Sequence, residues 1–381
     1  MVESLSHKQC SRCVMDTTDR EITFDTHGVC NYCRSFEAHF PSFDISKPVY
    51  PESEMSAKLN EIKRVGKSQE YDCIVGLSGG VDSSYVAFLA KQYGLRPLCV
   101  HFDSGWNSEL AVKNIESIVN HLGFDLFTYV CDWREMKDLQ LSFFKAGVAN
   151  CDIPQDHAFL AGLHEIAKKH NIKYLINGHN VATEFVMPMD WGYTSHDLKH
   201  IRSIQKKFGT QKLKNYPKYS SFKKFIYYKY VNKIEAFNIL NYISYDKSDV
   251  KHFLINELGW RDYGGKHYES RFTKFFQAHY LPYKWKIDKR KAHLASLIMT
   301  GQMTKEEALV DLEKPLYDSL ELQDDKEYIS RKLGVAVEEL DAILDAPPKE
   351  YYEYGYSLIL DTLRRALHKG FSNALAHIVK K

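Results

Sequence analysis

Between about residue 73 and residue 177, short apolar runs alternate with longer stretches of helical periodicity. The runs at 73–77, 97–102, 126–131 and 173–177 are brief and rich in Val, Ile, Leu and aromatic residues, which predicts strands. Segments 83–93, 108–121 and 158–170 carry apolar residues three and four apart and predict helices between them, with Gly94 and Gly123 closing the first two. A further helix is expected over 57–65. Strands alternating with helices predict an α/β fold with a doubly wound parallel sheet. In such a sheet ligands bind beyond the carboxyl ends of the strands.

The flanks read differently. Residues 1–45 hold four cysteines in two close pairs, and residues 259–381 read as mostly helical, with the capping box Thr304-Lys305-Glu306-Glu307 opening one helix. The expected domains are therefore 1–45, 46–258 and 259–381, with proline-bearing residues 41–54 as the link between the first two. A chain of 381 residues with 44% apolar and 26% charged residues has ordinary globular composition, and a net charge of +2 argues for no global attraction to nucleic acid or membrane. No apolar run reaches the length of a membrane span, and Met1-Val2-Glu3-Ser4 does not open a signal peptide, so the expected location is the cytoplasm. Eight cysteines there favour metal ligation or buried thiols over a disulfide framework.

Chemistry concentrates at the first strand end. Leu77-Ser78-Gly79-Gly80-Val81-Asp82-Ser83-Ser84 leaves a strand, turns on two glycines and enters a helix. The unpartnered N–H groups and the helix dipole at such a junction favour an anion, and glycine lets the backbone approach it. The spacing and lysine of a Walker loop are absent. Two more strand ends carry polar clusters, His101-Phe102-Asp103-Ser104 and Gly178-His179-Asn180-Val181-Ala182-Thr183-Glu184. Asp82 and Glu184 are the natural holders of Mg²⁺, since one or two carboxylates plus substrate phosphates is the usual magnesium arrangement.

Cys10-Ser11-Arg12-Cys13 and Cys30-Asn31-Tyr32-Cys33, sixteen residues apart, match four-thiolate zinc spacing, with an iron–sulfur cluster as the competing centre. Four sulfurs leave no open position, so the zinc is expected to be structural, in a ribbon whose hairpin would span 21–28. Cys73, Cys99 and Cys131 read as core residues. Cys151, in Asn150-Cys151-Asp152-Ile153-Pro154-Gln155-Asp156-His157, has no evident role. Residues 199–233 hold eleven Lys and Arg and no acid, interleaved with aromatics such as Tyr216, Phe225 and Tyr230. They suit a nucleic-acid strand, a docking face, the steering of an anionic sugar nucleotide, or simply a solvated surface.

Ser78-Gly79-Gly80-Val81-Asp82-Ser83 resembles the PP-loop of the ATP pyrophosphatase superfamily, which includes GMP synthetase and asparagine synthetase and shares the adenine nucleotide alpha-hydrolase-like fold. Together with the cysteine pairs, Gly178-His179-Asn180 with Thr183-Glu184, Gly264-Gly265-Lys266-His267-Tyr268-Glu269-Ser270-Arg271-Phe272-Thr273 and Asp288-Lys289-Arg290-Lys291-Ala292-His293, the whole is similar to the N-acetyl sugar amidotransferase family. That resemblance runs from about residue 10 to the C-terminus. It implies conversion of an acetamido group on a sugar or nonulosonate to acetamidino during lipopolysaccharide O-antigen or other surface polysaccharide synthesis. ATP would activate the amide oxygen by adenylylation, and ammonia would then displace AMP.

The resemblance also implies roles. Leu77, Ser78, Gly79, Gly80, Ser83 and Ser84 would cradle pyrophosphate, Phe102 and Asp103 would hold adenine and ribose, and Gly178, His179, Thr183 and Glu184 would border the phosphates. Asp82 and Glu184 would hold Mg²⁺, Cys10, Cys13, Cys30 and Cys33 zinc, while Lys266, His267 and Arg271 would offset charge during catalysis. Val2 offers no N-terminal nucleophilic cysteine and no Gly-x-Cys-x-Gly elbow is present, and the resemblance implies that ammonia comes from separate partners similar to the glutaminase and barrel subunits of imidazole glycerol phosphate synthase. The alternative is a PP-loop tRNA thiolase, against which stands the lack of a paired catalytic cysteine; a zinc-dependent assembly subunit with a regulatory nucleotide site is a third reading.

Overall fold

A computed structural model describes residues 7–265 and 268–369. Strands β1 (Cys73–Leu77), β2 (Pro97–Asp103), β3 (Asp125–Val130), β4 (Tyr174–Asn177) and β5 (Glu235–Asn238) form one parallel sheet in the order β3-β2-β1-β4-β5. The chain steps outward from β1 to β3, then returns to the other side of β1. That reversal opens a crevice between β1 and β4 at their carboxyl ends. The central strands are buried on both faces, which is why they read as unbroken apolar runs; β3 is an edge strand and largely exposed.

Helices α3 (Val81–Gln92), α4 (Glu109–Leu122) and α6 (Ile153–Lys169) supply the expected crossovers, and α2 (Glu52–Gly66) precedes the sheet. Each begins where local chemistry directs it. Ser108 accepts from the Ala111 N–H to cap α4, and Pro154 stands in the first turn of α6, five residues earlier than periodicity alone indicated. The periodic pattern did not single out α5 (Trp133–Ala146), capped by Asp132, or α8 (Leu198–Phe208), capped by Asp197. After α7 (Val181–Glu184) and α8, a wide-turn helix over Lys223–Val231 leads into β5.

Beyond α9 (Lys247–Leu258) the chain is helical: α10 (Arg271–Phe275), α11 (Arg290–Met299), α12 (Lys305–Glu313), α13 (Ser319–Leu333), α14 (Val337–Asp345) and α15 (Leu358–Lys369). The expected capping box at Thr304 and Glu307 is present. These helices share one continuous apolar cluster with the N-terminal cysteines, in which Cys10, Cys30 and Phe36 join Phe272, Phe276 and Leu294. Burying each large side chain there contributes roughly 1.5–3 kcal/mol. The expected ribbon hairpin is reduced to the single antiparallel bridges Gln9–Asp16 and Phe24–Cys30, because the second cysteine pair opens helix α1 (Asn31–His39) with Cys30 as its cap. Among the described residues no helix is long and apolar enough to cross a membrane.

Candidate active site

The 78–84 loop leaves β1 and enters α3 with Gly79 at φ +83°, where a side chain would be strained and would also strike the Ala111 carbonyl at 2.6 Å. The Gly79 carbonyl accepts from the Trp260 indole Nε1 at 2.8 Å, so the segment after α9 clamps the loop from outside. Asn114 holds that segment in turn, accepting from Arg261 N–H and donating to Arg261 carbonyl. Within the loop, Ser78 Oγ and Ser83 Oγ lie 3.3 Å apart, and Ser78 Oγ accepts from Gly80 N–H at 3.2 Å. Two hydroxyls and the first N–H groups of α3 thus converge on one spot, a cradle for phosphate oxygens.

The carboxyl end of β4 presses against this loop. A Cβ on Gly178 would meet Asp82 Cβ at 2.9 Å, so glycine permits the approach. Asp82 accepts a hydrogen bond from the Tyr245 hydroxyl, whose pKa is pushed well above the ordinary phenol value by burial and then by the Asp82 charge. Next to it, His179 Nδ1 lies 2.7 Å from Glu184 Oε2. Asn180 caps α7 by accepting from Thr183 N–H and Oγ1. His293 of α11 reaches back with Nδ1 to the Thr183 carbonyl at 3.0 Å.

Two cavities open from this point. The first, about 1070 Å³, runs beneath the loop over an apolar floor of Gly76, Phe159, Leu163 and Ile176, with Asp82 and Glu184 at its polar end. Lys224, Lys229 and Lys233 from the basic segment line its far side. Burial brings Lys224 down to about 8, and its Nζ lies 2.8 Å from His196 Nε2. The second cavity, about 790 Å³, is more polar and lies between the β2 end, the start of α6 and α11. Both are lined by Ser78, Phe159, His179, Glu184, Glu269 and His293.

Several expected site residues are thus brought together: Ser78, Gly80, Asp82, Ser83, Gly178, His179 and Glu184 line the first cavity. Others stand elsewhere. Ser84 is buried and lines neither cavity, and Leu77 is a buried side chain at the border of the second cavity whose carbonyl accepts from His101 Nδ1. Phe102 stacks on Tyr129 and faces the second cavity, while Asp103 is occupied with Gly105 N–H and Asn107 Nδ2. Thr183 is fully buried on Asn180.

Arg271 needs correction. Its guanidinium pairs with Asp324 and Asp325 and stacks on Tyr328, so it fastens α10 to α13 and does not face phosphate. Lys266 and His267 lie outside the described residues. Arg290 binds Asp288 and the Leu312 carbonyl, and Lys291 binds Asp16 of the ribbon, while Asp288, Lys289, Arg290 and His293 line the second cavity. Sequence reasoning missed Tyr245, which no local motif distinguishes from a core aromatic; Trp260 falls in the polar block 259–273 but its clamp on Gly79 is not legible there.

At the N-terminus the four cysteine sulfurs lie within 4.8 Å of one another, with Cys10 to Cys33 at 3.9 Å and Cys13 to Cys30 at 3.7 Å. A tetrahedron of thiolates at zinc bonding distance has edges of about 3.8 Å. Backbone N–H groups of Arg12 and Cys30 point at Cys10 Sγ, the arrangement that stabilises thiolate charge. This donor set fits a structural zinc ion. Cys131 and Cys151 are buried single thiols, each pushed up to about 12 by burial, an environment that disfavours the nucleophilic thiolate.

Comparison with known proteins gives two family matches. The asparagine synthase family profile matches residues 68–295, and that of the LPS biosynthesis protein WbpG-like C-terminal domain matches residues 269–366. A tRNA-specific 2-thiouridylase of Fusobacterium nucleatum is 24% identical over 140 residues, covering 35% of this chain; the chain spans 39% of that relative's length. Among solved structures, NMN synthetase from Francisella tularensis covers 87% of this chain and 97% of its own, at 15% identity and TM-score 0.32. The NH3-dependent NAD synthetase of Campylobacter jejuni covers 42% and 73%, at 13% identity and TM-score 0.28.

Proposed function

From a chain that belongs to the asparagine synthase family and ends in a WbpG-like lipopolysaccharide biosynthesis domain, we propose an ATP-dependent amidotransferase that turns an acetamido group into acetamidino on a nucleotide sugar or nonulosonate. An amide carbon is a weak electrophile, so its oxygen must first become a leaving group. The amide oxygen attacks the α-phosphorus of ATP, pyrophosphate departs, and an N-protonated O-adenylyl imidate forms. Ammonia then adds at carbon and AMP leaves, giving the amidinium product.

The observation that carries this reading is the meeting of two cavities at the phosphate cradle. ATP would occupy the first, with its phosphates on Ser78, Gly80, Ser83 and the first turn of α3, and the acetamido sugar would approach from the second. Asp82, oriented by Tyr245, and Glu184, oriented by His179, would hold Mg²⁺, which neutralises the phosphates and departing pyrophosphate. The protein's own contribution is positioning and fixed electrostatics. Lys266 and His267 would offset charge during catalysis. Ammonia would reach the enzyme from a separate glutaminase and barrel-type partner, and the work would be done in the cytoplasm on precursors of surface polysaccharide.

Similarity to a thiouridylase favours a second reading, sulfur transfer to tRNA. Against it, the thiols of the α/β region are buried and unpaired with one another. The deciding experiment measures pyrophosphate release from ATP and Mg²⁺ with ammonium and a panel of UDP-acetamido sugars, nonulosonates and bulk tRNA. Sugar-dependent release, with a product lighter by the difference between O and NH, is expected. Release with tRNA alone would establish the thiolase instead.

A further inference from the structure

The segment Asn150-Cys151-Asp152-Ile153-Pro154-Gln155-Asp156-His157 has no part in the phosphate cradle, yet it forms a wall of the second cavity. Its two carboxylates differ sharply. Asp152 accepts hydrogen bonds from Gln155 Nε2 and from Thr273 Oγ1, and Gln155 is in turn held by Ser104 Oγ at 2.6 Å. That network holds the Asp152 side chain in place. Asp156 is one helical turn further on and is open to the cavity. Among the described residues no side chain hydrogen-bonds to it. The next residue turns away: His157 contacts the Ser195 carbonyl and accepts from Tyr219 N–H.

Position matters as much as freedom. Phe159, three residues after Asp156 and so on the same face of α6, lines both cavities. Asp156 therefore stands beside the wall that separates the phosphate cradle from the second cavity. The other titratable groups near the cradle already have partners: His101 spans the Leu77 carbonyl and Asn107, and His179 holds Glu184.

We infer that the second cavity receives the acetamido acceptor and that Asp156 is the base which removes a proton from the incoming nitrogen. The inference rests on the amidotransferase reading and adds a residue to it. When ammonia adds to the N-protonated imidate, the new C–N bond forms and the C=N π pair moves to the sugar nitrogen. The added nitrogen is then cationic, and Asp156 takes one of its protons. The freed nitrogen pair re-forms a C=N bond as the C–O bond to AMP breaks, its electrons leaving on the phosphate oxygen. Asp156 later passes the proton to water.

The surroundings suit that work. The crowding cavity walls, then the neighbouring Asp152 charge, raise the proton affinity of the Asp156 carboxyl, while Lys289 lowers it. Tyr216 and Tyr219, which sense its charge, have phenol pKa values raised first by burial and stay neutral.

The test separates the two half-reactions. Acceptor-dependent ATP–pyrophosphate exchange without ammonium reads adenylylation, and product formation with ammonium reads the whole reaction. Asp156→Asn is expected to keep exchange within about threefold of wild type while product formation falls about 10²–10⁴-fold, the range of a lost general base. Asp156→Glu should recover part of the product rate and move the acidic limb of its pH profile, which a merely structural role would not do. Product formation by Asp156→Asn with an unchanged pH profile would overturn the inference, as would equal loss of exchange and product. Wild-type protein that shows no acceptor-dependent exchange with any acetamido sugar would instead bring down the amidotransferase reading, and this assignment with it.

Discussion

Trp260 donates its indole N–H to the Gly79 carbonyl at 2.8 Å, joining residues 181 positions apart. Trp260 is 2% exposed, so the bond is sheltered from water and fixes the phosphate loop from the far side of the chain. Trp260→Phe keeps most of the ring but strips the donor. A buried carbonyl left short of its partner costs about 1–3 kcal/mol. Urea unfolding should show a loss of that order, and calorimetric ATP binding should weaken about tenfold if some 1.4 kcal/mol of it is felt at the loop. Unchanged ATP affinity would mean that the clamp is scaffolding alone.

Tyr245 plays the corresponding part for Asp82. Its hydroxyl donates to the carboxylate, and its raised pKa keeps it a donor throughout the ordinary assay range. A hydrogen bond to a charged group contributes about 1.5–3 kcal/mol. Tyr245→Phe should leave the fold intact but let Asp82 turn. Pyrophosphate release should then fall about 10–100-fold, with a higher Mg²⁺ requirement, because a small misplacement at a reacting centre is costly. Wild-type kinetics in this variant would remove Asp82 from the metal assignment.

The sheet from β1 to β4 could be read from the sequence because buried parallel strands are short, apolar and bounded by turns. β5 escaped because Glu235-Ala236-Phe237-Asn238 carries one buried apolar side chain and follows the basic stretch. That stretch divides in the structure. Tyr216, Tyr219 and Tyr228 are core residues, while Phe222 and Tyr230 are exposed and Lys224, Lys229 and Lys233 line the first cavity. Only the position of β5 beside β4 sets those lysines under the loop, and no local pattern encodes it. For the same reason Arg271 looked like a phosphate ligand, since its partners Asp324 and Asp325 lie more than fifty residues away.

The cysteine site reaches the active site through aromatic packing. Phe36, three residues after Cys33, meets Phe185 edge-on with ring centroids 5.1 Å apart, and Phe185 directly follows Glu184. Metal analysis of the purified protein should find a single zinc per chain, absent from a Cys10→Ser, Cys13→Ser double variant. Because structural zinc binding is folding free energy, chelation should lower the melting temperature and the pyrophosphate release together. Activity that survives complete zinc removal would break the proposed link from α1 to Glu184.

Lys291 and Asp16 tie the ribbon to the C-terminal helices, and the pair predicts a pH dependence with a definite sign. Burial, the largest influence on Asp16, raises its pKa, but hydrogen bonds from Lys291, Thr18 and His7 together with the Lys291 charge hold it below the ordinary carboxylate value. Its side chain is 1% exposed. A depressed folded pKa gives stability that is present above the unfolded value of about 3.9 and is lost as pH falls through the folded one. Lys291→Met removes the main partner and leaves the carboxylate buried, which costs about 3–5 kcal/mol. Burial then dominates and raises the folded pKa, so the variant's deficit should be full at pH 7, shrink as pH falls through the variant's raised value, and approach zero only at a pH below the wild type's depressed one, where both carboxyls are protonated. Urea unfolding at the two pH values checks this. A deficit that stays constant with pH would trace the loss to packing of the lysine stem instead of to the ion pair.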